Sequence, residues 1–315
     1  MAERDRVAVI GAGVAGLAAA LELAAAGREV VLVEAAAGPG GKMRAIPSAA
    51  GEIDAGPTVF TQRPVFEALF EAAGTSLDAE LAVTRAELLA RNVWPDGSVL
   101  DLFDDPARSE AAVEAFAGPA EAAAFRDFTA RCRRLYEALE GPVMAAEAPT
   151  PLSVALATIG DSRRLMVDAA PLADLWTALG RQFADPRLRQ LFARFSTYVG
   201  GSPMLSPALL MLIWWSEAAG VWTIEGGMRA LARKVAALAE AKGAELRYGA
   251  PVAEILVEGG RTAGVRLATG EEIRAGTVLF AGDPAALADG RLGPAVRRAA
   301  PAMPRRRRSY SAWVW

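Results

Sequence analysis

Three glycines near the start of the chain have the spacing of a phosphate-binding turn. Gly11, Gly13 and Gly16 allow a tight turn, leave room for a pyrophosphate against the backbone, and let a helix pack closely on a strand. Glu34 follows at about the spacing expected of an acid that binds a ribose. The free N–H groups of a helix starting here would attract an anion. We therefore expect a dinucleotide site, with a glycine-rich structural turn as the alternative.

Two later segments could approach the same ligand. Residues 40–44 read Gly-Gly-Lys-Met-Arg, and adjacent glycines followed by cations suggest a backbone close to a phosphorylated group. The alternative there is a flexible, solvated loop. Residues 54–58 read Asp-Ala-Gly-Pro-Thr, where Gly-Pro fixes a turn that could lay backbone against a planar ring.

An α/β layer has to position these residues. The apolar run Val7 to Ile10 predicts a buried parallel strand, the glycine turn leads into a helix ending at Gly27, and Glu29 to Glu34 predicts a second strand. This βαβ unit indicates a Rossmann-type, doubly wound α/β domain. Residues 35–50 have no hydrophobic period and are expected to form a loop.

The rest of the chain is predicted to leave this layer and return to it. We expect a first part of the dinucleotide-binding domain over residues 1–105, a mainly helical domain over 106–220, and a return to the first domain over 221–315. Residues 309–315 have strand character and stop without a turn or cap, so we expect a C-terminal part to be missing. The predicted elements are helices over 63–74, 107–139 (broken at Gly118-Pro119) and 228–242, a hairpin of strands 88–92 and 98–102, and strands near 245–248, 252–257, 262–267 and 278–281.

Composition excludes several classes of function. A net charge of −3 and a pI near 5.4 give no general attraction to nucleic acid. Histidine is absent, which removes histidine bases and histidine-ligated metals, and the single Cys132 excludes cysteine-cluster metal sites, so no metal is expected. Spanning a bilayer needs roughly 18 uninterrupted apolar residues, and no run reaches that length. If the chain is an enzyme, a cofactor carries the chemistry.

The order of these motifs resembles the flavoprotein superfamily of amine oxidases and phytoene desaturases. Within it, the sequence is most similar to bacterial carotenoid desaturases of the hydroxyneurosporene or methoxyneurosporene (1-hydroxycarotenoid 3,4-) type. The segments that carry the resemblance are Gly40-Gly-Lys-Met-Arg44, Asp54-Ala-Gly-Pro-Thr-Val59, Trp94-Pro-Asp-Gly97, Tyr198-Val-Gly-Gly-Ser-Pro203 and Gly220-Val-Trp-Thr-Ile-Glu-Gly-Gly-Met228.

The resemblance implies FAD as cofactor but assigns no catalytic residue. Glu34 would bind the adenosine ribose, and the backbone of Val252 would touch the adenine. The residues implied at the pyrophosphate are Gly11, Ala12, Gly13, Ala15 and Gly16, and those near the flavin are Gly41, Lys42, Arg44, Gly56, Pro57 and Thr58.

The resemblance also implies an activity, which is desaturation of an acyclic 1-hydroxy or 1-methoxy carotenoid by hydride transfer to the flavin N5. Oxygen or a quinone would accept the electrons, and the protein would be cytoplasmic, visiting the surface of the inner membrane. Chains of this family are longer, so we expect these 315 residues alone to be inactive. An amine or protoporphyrinogen oxidase and a redox-inactive flavin-binding scaffold remain as alternatives.

Two features outside the motifs admit two interpretations each. Aromatic residues such as Phe192, Phe195, Tyr198, Trp214, Trp215 and Trp222 could line a tunnel for a polyene or fill a core. The run Arg305 to Arg308 could meet anionic lipid or form a solvated face.

Overall fold

The computed structural model describes residues 5–49, 51–146, 150, 152–153, 168–170 and 173–302. The cationic run 305–308 and the expected terminal strand 309–315 lie outside these residues. The described chain forms two units. The first comprises the residues up to Thr84 together with those from Trp222 onward, and the second comprises Arg85–Val221.

The elements follow in chain order. The strands are β1 (Val7–Ile10), β2 (Val30–Val33), β3 (Ala45–Ser48), β4 (Gly51–Asp54), β5 (Val83–Arg85), β6 (Leu88–Val93), β7 (Val99–Phe103), β8 (Trp222–Ile224), β9 (Glu245–Arg247), β10 (Val252–Glu258), β11 (Arg261–Leu267), β12 (Glu272–Arg274) and β13 (Thr277–Phe280). The α-helices are α1 (Val14–Ala25), α2 (Arg63–Ala72), α3 (Leu77–Glu80), α4 (Pro106–Ala117), α5 (Pro119–Leu139), α6 (Leu175–Gln182), α7 (Pro186–Ala193), α8 (Ile213–Ala218), α9 (Gly227–Ala241) and α10 (Pro284–Ala288). Short 3₁₀ segments cover Arg194–Val199, Ala208–Leu212 and Pro294–Ala299, and Glu140–Met144 is a π-helical turn.

A parallel sheet with the strand order β13-β1-β2-β9 forms the centre of the first unit. Both of its faces are buried, which explains why β1 and β2 are apolar at every position. One face packs on α1 and α9 through residues that include Val9, Leu32, Leu17, Leu21, Leu231 and Val235. The other face packs on the antiparallel sheet β10-β11-β12 through residues that include Ile10, Val31, Ile255, Val265 and Ile273.

The predicted α/β class and the opening βαβ unit are confirmed. The prediction of a plain loop over residues 35–50 is wrong in part, because β3 pairs with β4 from Ala45↔Asp54 to Ser48↔Gly51. Ile46 and Ile53 lie opposite each other in this hairpin and are both exposed. The hairpin therefore has no buried face to produce an alternating pattern in the sequence.

The second unit has an aromatic core. Helices α4 to α8 and the hairpin β6–β7 enclose it, and the predicted break between α4 and α5 at Gly118-Pro119 is confirmed. Its rings pack against one another with centroid separations of 4.6–6.3 Å, in a group that includes Phe125, Phe128, Phe183, Phe192, Phe195 and Trp214. Phe192, Phe195 and Trp214 are thus core residues, whereas Tyr198 is 55% exposed.

Candidate functional site

The glycine turn connects the end of β1 to the start of α1. Gly16 is buried against the turn, and a Cβ added there would lie 1.9 Å from the carbonyl oxygen of Gly11. Only glycine therefore lets the helix approach the turn this closely. A Cβ added at Gly13, in contrast, would have no protein atom within 4 Å, so space beside this residue is open.

The N-terminus of α1 has no side-chain cap. Gly13 stands at the N-cap position in an extended conformation and Ala15 is exposed, whereas Asp174 and Asp185 cap α6 and α7 with their carboxylates. The first amides of a helix have no partner within the helix, and their positive potential favours an anion. An uncapped helix start beside open space fits the diphosphate of a dinucleotide.

Glu34 follows β2 directly, and its carboxylate reaches the glycine turn. One carboxylate oxygen accepts a hydrogen bond from the amide of Ala12 at 2.6 Å, and the other accepts from the amide of Ala36 at 2.8 Å. Each oxygen keeps further acceptor capacity for a ribose hydroxyl. The sequence did not predict that Glu34 would also hold the turn in place.

The loop over residues 40–44 contacts the glycine turn. The amide of Gly40 donates to the carbonyl of Ala12 at 2.8 Å, and a Cβ on Gly41 would lie 3.0 Å from the Cα of Gly13. Met43 is buried, whereas Lys42 and Arg44 are exposed. The structure therefore brings the two predicted glycine motifs into one site, with two cations at its surface.

Residues 54–58 lie against this loop. The amide of Ala55 donates to the carbonyl of Arg44 at 2.8 Å, and the Arg44 Nε donates to the carbonyl of Ala55 at 3.4 Å. A Cβ on Gly56 would lie 1.8 Å from the carbonyl oxygen of Lys42, so the two segments touch through backbone. Pro57 and Thr58 are exposed next to this contact.

Val252 is the first residue of β10, and the residues just before it contact the site. The amide of Ala250 donates to the carbonyl of Glu34 at 2.8 Å. Tyr248 lies in the same segment, where burial, and then the charges of Glu240 and Glu34, raise the pKa of its phenol. The start of β10 is thus held beside the acid predicted to bind the ribose.

Sequence reasoning missed one residue and one contact of this site. Ala281, after β13, packs within 3.1 Å of the Cβ position of Gly16. The Asp54 carboxylate accepts a hydrogen bond from the amide of Met228 at 2.9 Å, at the start of α9. The pair Gly226-Gly227 indicates in the sequence that a helix starts near Met228. Nothing in the sequence indicates that this helix start contacts Asp54.

Other types of site are not evident among the described residues. They contain no group of three or more potential metal ligands, and no helix among them is long and apolar enough to cross a bilayer. Cys132 is buried in the second unit, where its Sγ contacts the carbonyl of Met211 at 3.1 Å.

Curated relatives match nearly the whole chain. Hydroxyneurosporene desaturase of Rubrivivax gelatinosus is 49% identical over 315 residues, which is 98% of this chain and 59% of that protein. Hydroxyneurosporene desaturase of Cereibacter sphaeroides is 50% identical over 310 residues, which is 98% of this chain and 62% of that protein. The chain thus spans about 60% of the length of these relatives.

Solved structures share the fold at low identity. Putrescine oxidase with bound putrescine is 19% identical and has a TM-score of 0.57. The match covers 96% of this chain and 62% of putrescine oxidase. Cyclohexylamine oxidase from Brevibacterium oxydans is 21% identical and has a TM-score of 0.54. The match covers 92% of this chain and 60% of that oxidase. The model of the flavin containing amine oxidoreductases matches residues 14–310, and the chain belongs to this family of flavoproteins.

Proposed function

We propose that the whole protein desaturates an acyclic 1-hydroxy or 1-methoxy carotenoid with FAD as its cofactor. The observation that carries this proposal is the identity of 49% and 50%, across 98% of the chain, to two hydroxyneurosporene desaturases. The backbone-lined site described above supports the cofactor part of it.

In this proposal the chain binds FAD along a line of contacting segments. The amides of residues 11–16 hold the diphosphate, Glu34 binds the adenosine ribose, and the backbone of Val252 meets the adenine. Residues 41–44 and 56–58 approach the flavin end, where Lys42 and Arg44 add positive charge. When bound, FAD supplies an acceptor for hydride removed from a saturated carbon beside the polyene. The division of the chain at residues 105 and 220 into flavin-binding and substrate-facing parts belongs to the same proposal.

A direct assay tests the activity. Full-length protein with FAD is incubated with a 1-hydroxy carotenoid, and absorbance is expected to move to longer wavelength as the conjugated system lengthens. The 315-residue chain in the same assay is expected to be inactive. Full-length protein that binds FAD and leaves the chromophore unchanged, while a known desaturase extends it, would contradict the proposal.

We also propose that oxygen or a quinone reoxidises the flavin. The assay is therefore run in air, without oxygen, and without oxygen but with a quinone. Turnover beyond one equivalent of enzyme is expected only where an acceptor is present. Continued turnover with both acceptors absent would contradict this part of the proposal.

We further propose that the cytoplasmic protein visits the inner membrane to collect its lipid-soluble substrate. Four apolar side chains of the second unit, Tyr198, Val199, Met204 and Leu205, are each more than half exposed, and Leu205 is 86% exposed. Residues 195–216 contain no charged side chain. Exposed apolar clusters of this kind mark surfaces that contact lipid or protein.

Sedimentation with lipid vesicles tests the membrane contact. Leu205→Glu is expected to reduce the bound fraction, because it places a charge in the exposed apolar cluster. Val93→Glu is the matched control, since Val93 is 65% exposed on the hairpin β6–β7. Equal binding of both variants and the wild type would argue against this surface.

A further inference from the structure

Asp54 joins two segments that are distant in sequence. It ends β4, and its Oδ2 accepts a hydrogen bond from the amide of Met228 at 2.9 Å. The N-cap position of α9 is occupied by Gly226, which has no side chain to cap the helix. The Asp54 carboxylate therefore caps a helix that begins more than 170 residues later.

The contact between Asp54 and α9 is close. Gly227 has a φ of +74°, and a Cβ added there would lie 2.7 Å from the Asp54 Oδ2. A residue larger than glycine would be strained at this φ and would push the carboxylate away. The hydrogen bond to Asp54 thus holds the end of β4 close to the start of α9, and this close approach requires glycine at position 227.

Helix α9 packs on two segments that flank the glycine turn, namely α1 and the loop over residues 40–44. Its residues Met228, Leu231 and Val235 share a buried cluster with Leu17 of α1. Ala232 lies 3.7 Å from the Cβ position of Gly40, in the loop that bonds to the turn. A rigid element therefore connects the proposed diphosphate site to Asp54.

The position of Asp54 also limits the positions of the residues that follow it, 55–58. The next residue, Ala55, bonds to the backbone of Arg44, and Gly56 touches the carbonyl of Lys42. We propose that Asp54 is a positioning residue for the flavin, which it serves by fixing the 54–58 segment relative to α9. This inference rests on the proposed function, since that function puts the flavin end at residues 56–58.

Three variants of the FAD-loaded full-length protein test the inference. Asp54→Ala removes the acceptor, Gly227→Ala displaces it, and Asp54→Asn keeps an acceptor oxygen at the same place. The first two are expected to weaken FAD binding about fivefold, because a lost helix cap costs about 1 kcal/mol and we expect that cost to fall on the FAD-binding arrangement of residues 54–58. They should also shift the visible circular dichroism and the reduction potential of bound FAD. Asp54→Asn should retain the wild-type dichroism.

Two control variants separate positioning from stability. Asp174→Ala removes a similar cap, the bond from the Thr177 amide to Asp174 at 2.8 Å, in the second unit. Gly260→Ala introduces a side chain at a similar φ of +77° with no atom within 4 Å of its Cβ. Both are expected to lower Tm and to leave the flavin signals unchanged.

The outcomes distinguish the two claims. If wild-type protein binds FAD, and Asp54→Ala and Gly227→Ala lower only Tm, as the controls do, then Asp54 is not a positioning residue and the proposed function stands. If wild-type protein binds no FAD, both claims fail. If Asp54→Ala does not fold, Gly227→Ala and Asp54→Asn still decide the question through dichroism.

Discussion

Gly13→Ala should separate folding from cofactor binding. The Cβ of the new alanine would have no protein atom within 4 Å. Gly13 has φ −72° and ψ 174°, which alanine adopts without strain. Alanine is a poorer N-cap residue than glycine but reduces the freedom of the unfolded chain, so the free energy of unfolding should change by less than about 1 kcal/mol.

The same methyl group would occupy the space proposed for the diphosphate. A phosphate displaced from the helix start loses at least one charge-assisted hydrogen bond, which contributes about 1.5–3 kcal/mol. The dissociation constant for FAD is therefore expected to rise roughly 10- to 100-fold. Titration with FAD, followed by quenching of flavin fluorescence, measures this constant, and thermal unfolding without FAD measures stability.

Gly16→Ala is the matched contrast. Its Cβ would lie 1.9 Å from the Gly11 carbonyl, a separation that must widen by about 1.5 Å to reach ordinary contact. Overpacking of this kind costs about 1–3 kcal/mol, so this variant should lose both stability and FAD affinity. Wild-type affinity in Gly13→Ala would refute the placement of the diphosphate, and unchanged stability in Gly16→Ala would refute the packing argument.

Three further outcomes follow from single contacts. Glu34→Ala should lower both Tm and FAD affinity because Glu34 holds the glycine turn, and Glu34→Gln should restore part of each in the same two assays. Partial burial of the half-exposed phenol, and then the bond to Glu217, raises the pKa of Tyr198 to about 12. The stability that this phenol contributes, which solvent screening keeps small, should be complete below pH 10 and lost between pH 10 and about 12. Denaturant unfolding across that range, compared with Tyr198→Phe, measures the loss. Phe192→Ala should destabilise the second unit by about 3–5 kcal/mol without changing substrate preference, because Phe192 is a core residue. An altered substrate preference in the desaturation assay would instead favour the interpretation that Phe192 lines a tunnel.

The glycine turn could be predicted from sequence because its requirements are local. Gly11, Gly13 and Gly16 act within one strand-turn-helix segment, and the apolar runs on either side identify the strands without knowledge of the rest of the fold. The loop over residues 40–44 was linked to the turn only through a shared ligand, which its adjacent glycines and cations suggested and the family resemblance supported. The structure shows the physical link, which is the bond from the Gly40 amide to the Ala12 carbonyl.

The contacts that sequence reasoning missed are long-range or lie on exposed elements. Asp54 and Met228 are far apart in the chain, and a capping contact between segments leaves no periodic pattern. The hairpin β3–β4 presents apolar residues to solvent, and β12 has only three residues, too few to show alternation. The pairing of β11 with β12, which covers the second face of the parallel sheet, was therefore not predicted.

A site made mainly of backbone amides explains why its cofactor was easier to predict than its substrate. The segments at Gly11, Gly40 and Gly56 approach one another through carbonyls, amides and glycines that lack a side chain, so their arrangement depends little on which side chains surround it. Putrescine oxidase shares the fold at 19% identity, although its name refers to an amine. Under the proposed function, backbone contacts to the cofactor cannot distinguish an amine from a polyene, so that selection must come from side chains elsewhere. Substitutions that change substrate preference should consequently leave FAD affinity unaltered.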